Sequence, residues 1–526
     1  MIKRINSSIG NFEDQVTDTL VLDAVPTVNS FNTVTSDGVA RAIAGASGEV
    51  PQVTESDNGK VLTAIYDAGG PAVEWSTKGQ VPSSTSEDSG KVLTVDPTGT
   101  PAWKMPCGDG EWWGGEPEPI VLEAKQIRLL FKNSEYDPRN DTDTSFLNRF
   151  TSITKENDGS YTFQFKKGTT NDHYASGAFN NKYTINTVGE FVVLAWDPTL
   201  LPGEGTAYDN YDYLFNLCTG LRAVYNVDWR CGEQKTDLQY AFGGCVMLKT
   251  YRHYRRPLSD AHSGLQYYIR RGTGMFSGCV NLEDVYMSLK GPLPSSTGTA
   301  NLWSFASMFY GCEKLKVGPQ ILGGATDTSR MFAGCFNLET FCSVPSEADN
   351  EYHSKVFSCN CQEMFLNCRS LVDASALAEF FASVKVSNAA DMFMKCSSLR
   401  VLPKNIYLYS DSGVDCQNMF TDCYSLIDLP VLDYANVTNA RAMFAYSKNI
   451  IDISSLSSVT WNAGLTNVEL MFSGCEGVRT GLLGCYTSLS ANTSITSHID
   501  TFTNCGKAWS NPDLASIPSS WGGTGA

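Results

Sequence analysis

A chain of 526 residues is too long for one compact core, so several domains or a repeat array are expected. Lys and Arg number 39 against 56 Asp and Glu, and a net charge of −17 is unsuited to tracking a phosphate backbone. No apolar run approaches the length of a membrane span, and no secretory signal follows the opening MIKRINSSIGNFEDQ, so a reducing, cytosolic origin is expected. For that compartment 17 cysteines are many, and an odd number cannot all pair within one chain.

Residues 24–45 read AVPTVNSFNTVTSDGVARAIAG, and a short repeat follows. EVPQVTESDNGKVLTAIYDAGGPAVEWS (49–76) is echoed by QVPSSTSEDSGKVLTVDPTGTPAWKM (80–105), with the two GKVLT blocks offset by 31 residues. A phosphate loop is excluded, because the upstream Gly is absent and Val follows the Lys. KVLTV reads as a strand, the Gly/Pro-rich stretch as a turn, and Trp75 and Trp103 as marks of a return strand. A two-stranded unit this small cannot bury a core alone. It is expected to pack against other copies of the chain, as a trimer. The 24–45 segment resembles the P-T-x-x-S-x-N-x-V-T-S-x-G-V stretch of phage fibre proteins. The two modules resemble those of phage head fibres and related virion fibres. The resemblance implies a virion-anchoring segment over 1–48 that partners a capsid protein, and a stalk over 49–110.

Residues 111–210 contain strand-like IRLLF, YTFQFKK and FVVLAW, separated by the loops SEYDPRNDTDTS and DPTLLPGEG. They are expected to form a β-rich domain or an N-terminal cap.

Residues 211–526 hold a second repeat. Met-Phe pairs begin at Met275, Met308, Met331, Met364, Met392, Met419, Met443 and Met471. Chance would give about 0.6 such pairs. Cys usually follows three residues after Phe and Leu three after that, as in RMFAGCFNLET and NMFTDCYSLID. Partial copies occur at Phe215, Phe242 and Phe502, and Ser447 replaces one Cys. Phe, Cys and Leu at this spacing are expected on one face of a short helical segment. Small Cys alternates with large Phe and Leu, and Met fills the remainder. Apolar pieces such as LRVLP and LIDLPVLD are expected as strands, and polar ATDTS or NVTNA as helix-capping connections. The stretch NMFTDCYSLIDLPVLDYANVTNARAMF resembles the BspA-type leucine-rich repeat of bacterial and phage surface proteins. The fold class expected is therefore a mixed α/β repeat: a BspA-like solenoid with a C-terminal cap, preceded by β stalk modules and a β-rich cap domain.

The repeat cysteines are expected as buried free thiols. Coils spaced about 8–10 Å apart exceed the reach of a disulfide. Cys342, His353, Cys359, Cys361 and Cys368 are the best set for a metal, but CNC is too short for a zinc knuckle. No metal or cofactor is expected. None of the five His lies in H-E-x-x-H, and no G-x-S-x-G elbow occurs, so a binding protein rather than an enzyme is expected. The interval between Phe242 and Phe276 concentrates cations and tyrosines. Lys249, Arg252, Tyr254, Arg255, Arg256, Tyr267, Tyr268, Arg270 and Arg271 suit an anionic or sugar ligand. The organisation points to a virion fibre that adheres to a host surface glycan or protein, assembled in the host cytoplasm and carried on the particle. A tail-fibre receptor-binding protein, a bacterial BspA-like adhesin and a depolymerase are the alternatives.

Overall fold

The computed structural model describes residues 2–4, 21–22, 61–67, 70–76, 92–95, 101–104, 113, 117, 120–167, 174–198, 208–227, 235–253, 268–290, 303–323, 325–342, 357–403 and 406–525. The chain divides into two compact units, Met1–Glu116 and Pro117–Ala526.

In the first unit, β1 (Ile2–Arg4) pairs antiparallel with β2 (Val21–Leu22). β3 (Val61–Asp67) pairs with β4 (Gly70–Ser76), and β5 (Val92–Val95) with β6 (Pro101–Lys104). Both are antiparallel hairpins, and they share a register: Leu62 faces Trp75, and Leu93 faces Trp103. The repeated sequence thus folds as a repeated hairpin. The rest of the expected anchoring segment lies outside the described residues.

The second unit begins with β7 (Gln126–Phe131), β8 (Phe150–Lys155), β9 (Tyr161–Phe165) and β10 (Phe191–Asp197). Parallel strands then come from successive coils: β11 (Tyr208–Asn210), β12 (Leu221–Val227), β13 (Lys235–Asp237), β14 (Thr250–His253), β15 (Tyr268–Arg271), β16 (Asp284–Tyr286), β17 (Ser288–Lys290), β18 (Val317–Gly318) and β19 (Gln320–Gly323). One seven-stranded sheet has the order β16-β14-β12-β10-β7-β9-β8. It changes from parallel to antiparallel at β10, which pairs parallel with β12 and antiparallel with β7. A second sheet, β11-β13-β15-β17-β19, is wholly parallel. β7 to β10 thus extend the first sheet of the repeats, β11 begins the second, and one buried apolar cluster runs from Ile127 to Trp521. Toward the C-terminus the sheets shrink to parallel pairs and isolated parallel bridges such as Asp428 with Asp452.

The helical segments expected at each Met-Phe are absent from the described coils; consecutive tight turns stand in their place. The coil around Phe332 shows why. Met331, Ala333 and Cys335 donate their N–H groups back three residues, to the carbonyls of Thr328, Arg330 and Phe332. The intervening Arg330, Phe332 and Gly334 donate instead to Gln362, Met364 and Leu366 of the next coil. An α-helix would spend every N–H within its own segment. Here half of them stitch coil to coil. The alternation requires left-handed residues just before Met and just before Cys, and Arg330 (φ 57°) and Gly334 (φ 78°) supply them. The same pair of positive φ values recurs from Tyr213 and Leu217 to Asp500 and Asn504. Among the described residues only three α-helices occur, Thr144–Leu147, Ala378–Ser383 and Leu482–Ser490. The repeat is therefore β-rich rather than mixed α/β.

Polar connections do act as caps, but of turns. Four residues before each Met stands Asn, Asp or Ser in most coils, and its side chain accepts from the backbone N–H two residues on. Asp327 to Ser329 (3.0 Å), Asn388 to Ala390 (3.0 Å) and Asn467 to Glu469 (3.0 Å) are examples. In the NVTNA connection, Val437–Asn439 is itself a strand, whereas LIDLPVLD contributes only the bridge at Asp428.

Inward-facing residues form columns. The repeat phenylalanines stack face to face from Phe179 to Phe502, with centroids 4.8 Å apart at the first step and 5.9 Å at the last. The coils thus lie closer than the expected spacing of about 8–10 Å, because backbone hydrogen bonds join them. Neighbouring rings are nearly parallel, 2° apart between Phe309 and Phe332. Phe179 marks a coil that lacks Met and Cys, so the stack starts one coil earlier than the motif shows. At the far end, Phe502 donates its N–H to the Trp521 carbonyl, and the Trp521 indole stacks on His498 (4.3 Å).

Candidate functional site

The repeat cysteines are buried and free. Nine of them, from Cys218 to Cys475, share one kind of partner. Cys335 Sγ lies 3.1 Å from the Phe309 carbonyl of the preceding coil, and Cys368 Sγ 3.1 Å from that of Phe332. The same bond joins Cys218 to Phe179 (2.9 Å), Cys396 to Phe365 (3.2 Å) and Cys475 to Phe444 (3.0 Å). Where Ser447 replaces Cys, its Oγ donates to the Phe420 carbonyl at 2.7 Å. Burial pushes the Cys218, Cys279 and Cys475 thiols up to about 12, and Cys245, Cys312, Cys335, Cys368, Cys396 and Cys423 move the same way for the same reason. A thiol held protonated is a donor, and it is neither nucleophile nor ready ligand. The column needs a small buried donor, and Cys or Ser meets that need.

Among the described residues, no group of three His, Cys, Asp or Glu side chains gathers as a metal site.

The described members of the cation-rich patch divide between the two sheets. Arg252 lies in β14 of the seven-stranded sheet and Lys249 just before it, whereas Tyr268, Arg270 and Arg271 belong to β15 of the parallel one. Arg252 is buried, and its Nε donates to the Asp284 carboxylate at 2.7 Å. Arg271 occupies the turn-capping column, where most coils have Asn, Asp or Ser. Its guanidinium reaches Asp212 and Asp237 of the two preceding coils, each at 3.0 Å. Tyr254, Arg255, Arg256 and Tyr267 lie outside the described residues.

Arg271 reaches a feature that the sequence reading did not single out. Tyr213 and Tyr240 occupy equivalent left-handed positions in adjacent coils, and their rings stack at 5.7 Å and 14°. The Tyr240 ring also lies across Gly274, where an added Cβ would come within 2.3 Å of it. Asp212, next to Tyr213, accepts from the Gln239 N–H (2.7 Å) as well as from Arg271. Tyr213 is 38% exposed and the Arg271 side chain 40%. A stacked tyrosine pair, with Tyr213 its exposed member, thus adjoins a fixed guanidinium–carboxylate pair.

No known protein family matches the sequence, and no curated protein does. Four solved chains are similar in part, among them two leucine-rich proteins. A leucine-rich cell surface protein from Faecalibacterium prausnitzii is 14% identical over 60% of this chain and 89% of its own, with a TM-score of 0.23. A leucine-rich-repeat protein from Bacteroides ovatus is 16% identical over 54% of this chain and 79% of its own, with a TM-score of 0.19. Likeness at this level says nothing of role. The coils themselves define the class: a β-rich repeat domain with a buried apolar interior and parallel pairing between coils. Among the described residues no helix is long and apolar enough to cross a membrane.

Proposed function

We propose that the chain is a structural fibre of a phage virion, attached to the capsid through its first segment, and that its repeats form a BspA-like solenoid for adhesion. The order of anchor-like segment, paired modules and repeat array supports this reading. The common register of the two hairpins agrees with a stalk built from one reused unit. Packing of these hairpins with those of other copies, as a trimer, would supply the core that each lacks.

The observation that carries the adhesive role is the Tyr213–Tyr240 platform beside Arg271 and Asp212. The exposed Tyr213 ring, backed by Tyr240, suits the C–H groups of a sugar ring, and a paired guanidinium and carboxylate suit its hydroxyls. The mechanism is binding without turnover, and many copies per particle convert weak contacts into avidity. Two tests apply. Antibody labelling of particles in electron micrographs should decorate the head; label on the tail, or on bacterial cells instead of particles, overturns the attachment. Adsorption of the protein to host cells or their purified glycan should fall at least about tenfold when Tyr213 and Tyr240 are both changed to Ala. Unchanged adsorption removes the platform from the account.

A further inference from the structure

One sulfur cluster stands apart from the thiol ladder. Cys359 and Cys361 have no Phe carbonyl as partner. Their sulfurs lie 3.8 Å from each other. The Thr328 hydroxyl from the preceding coil sits 3.6 Å from Cys359 Sγ, 3.4 Å from Cys361 Sγ and 3.5 Å from Met364 Sδ. Three sulfurs thus surround one hydroxyl, and all four residues are wholly buried. Thr328 and Cys361 occupy equivalent inward positions, three residues before Met. Ala389, Ala440 and Val468 fill that position elsewhere, so a polar, sulfur-rich group is not what packing alone requires.

We propose that Cys359, Cys361 and Met364 form a binding site for one soft monovalent cation of the copper(I) type. The donor set is two thiols and one thioether with no imidazole or carboxylate, which selects copper(I) over zinc. With metal–sulfur bonds of about 2.3 Å, sulfurs at this separation open an angle of about 110° at the ion and leave a direction for the thioether. Binding replaces two thiol protons, which leave to solvent, by one cation, and no electron is transferred. The Thr328 hydroxyl then donates to a thiolate. The ion's own charge stabilises the two thiolates once it is bound.

The test uses the full chain, purified reduced and without oxygen. Copper(I) is added to the folded protein, and in a second arm during refolding, against bathocuproine disulfonate as competing chelator. Retained copper is counted by elemental analysis, and its ligands are read by X-ray absorption. The expected result is one copper per chain in at least one arm, in a three-sulfur shell. Cys361→Ser should weaken retention by more than about tenfold, whereas Cys416→Ser, which removes a buried thiol at the equivalent position of another coil, should not. Met364→Leu should keep a two-sulfur shell, which remains readable if Cys361→Ser fails to fold. No retained copper in either arm, equal retention by Cys361→Ser, three sulfurs in Met364→Leu, or zinc taken in preference overturns the site.

Discussion

Ser447 offers the sharpest test of why Cys recurs. Its Oγ donates to the Phe420 carbonyl at 2.7 Å and accepts from the Cys423 N–H at 3.2 Å, in a site with no solvent exposure. Ser447→Ala removes both bonds. The Cys423 N–H is left with the Phe420 carbonyl at 3.4 Å, a stretched contact. An unsatisfied buried group costs about 1–3 kcal/mol, so Ser447→Ala should destabilise by about 2 kcal/mol. Ser447→Cys restores the donor found in the neighbouring coils and should cost less than about 1 kcal/mol. Ser447→Val adds bulk without a donor and should cost at least as much as Ala. Guanidinium unfolding followed by near-UV circular dichroism reads the global loss. Amide exchange at Cys423 reads the local one, which matters because a repeat array can unfold in parts. If Ala is as stable as the natural chain, or Cys as damaging as Ala, the donor explanation is wrong and the column is merely small.

Further outcomes follow from the same geometry. Gly334→Ala forces a side chain into the left-handed region with nothing closer than 3.6 Å to clash, so it should cost about 1–2 kcal/mol from backbone strain alone. At the equivalent Lys395, a change to Gly should be neutral or stabilising in the same unfolding assay. Phe332→Ala breaks the ring stack at mid-column and should cost about 3–5 kcal/mol. Desolvation, with Glu363 and Asp415 nearby, holds the half-buried Asp391 carboxyl above its usual range despite the Asn418 amide. Its charge therefore opposes folding once pH rises past the unfolded carboxyl's titration. Asp391→Asn should stabilise at pH 7, and the gain should vanish in acid; a gain independent of pH contradicts this.

Much of the repeat was legible because burial chose the residue types. Met, Phe, Cys and Leu recur where side chains point inward, and their spacing gave the coils. The local conformation was misread. Phe and Cys three apart suit one face of a helix, but they also suit turns that alternate bonding within and between coils. The deciding signal was present in the residue before Cys, which is Gly, Asn or Asp in MFAGC, MFLNC and MFTDC. Those types favour positive φ and disfavour a helix interior. The coil at Phe179 escaped notice because GAFNNKY keeps only the ring and the Gly and Asn left-handed positions. The cation-rich stretch read as one patch because it is contiguous in sequence. A coil instead passes through both sheets, so Arg252 and Arg271 take up acidic partners in different ones. The Tyr213–Tyr240 platform had no local signature, since its halves lie in separate coils.

The most direct test of the account is thiol labelling of the intact chain by a maleimide, with each cysteine assigned by peptide mass. Stacked coils with protonated, carbonyl-bonded thiols predict no label at Cys218, Cys245, Cys279, Cys312, Cys335, Cys368, Cys396, Cys423 and Cys475 until denaturant is added, and no disulfide among them. Prompt labelling of those positions in the folded protein would contradict the interior ladder on which the display surface is built.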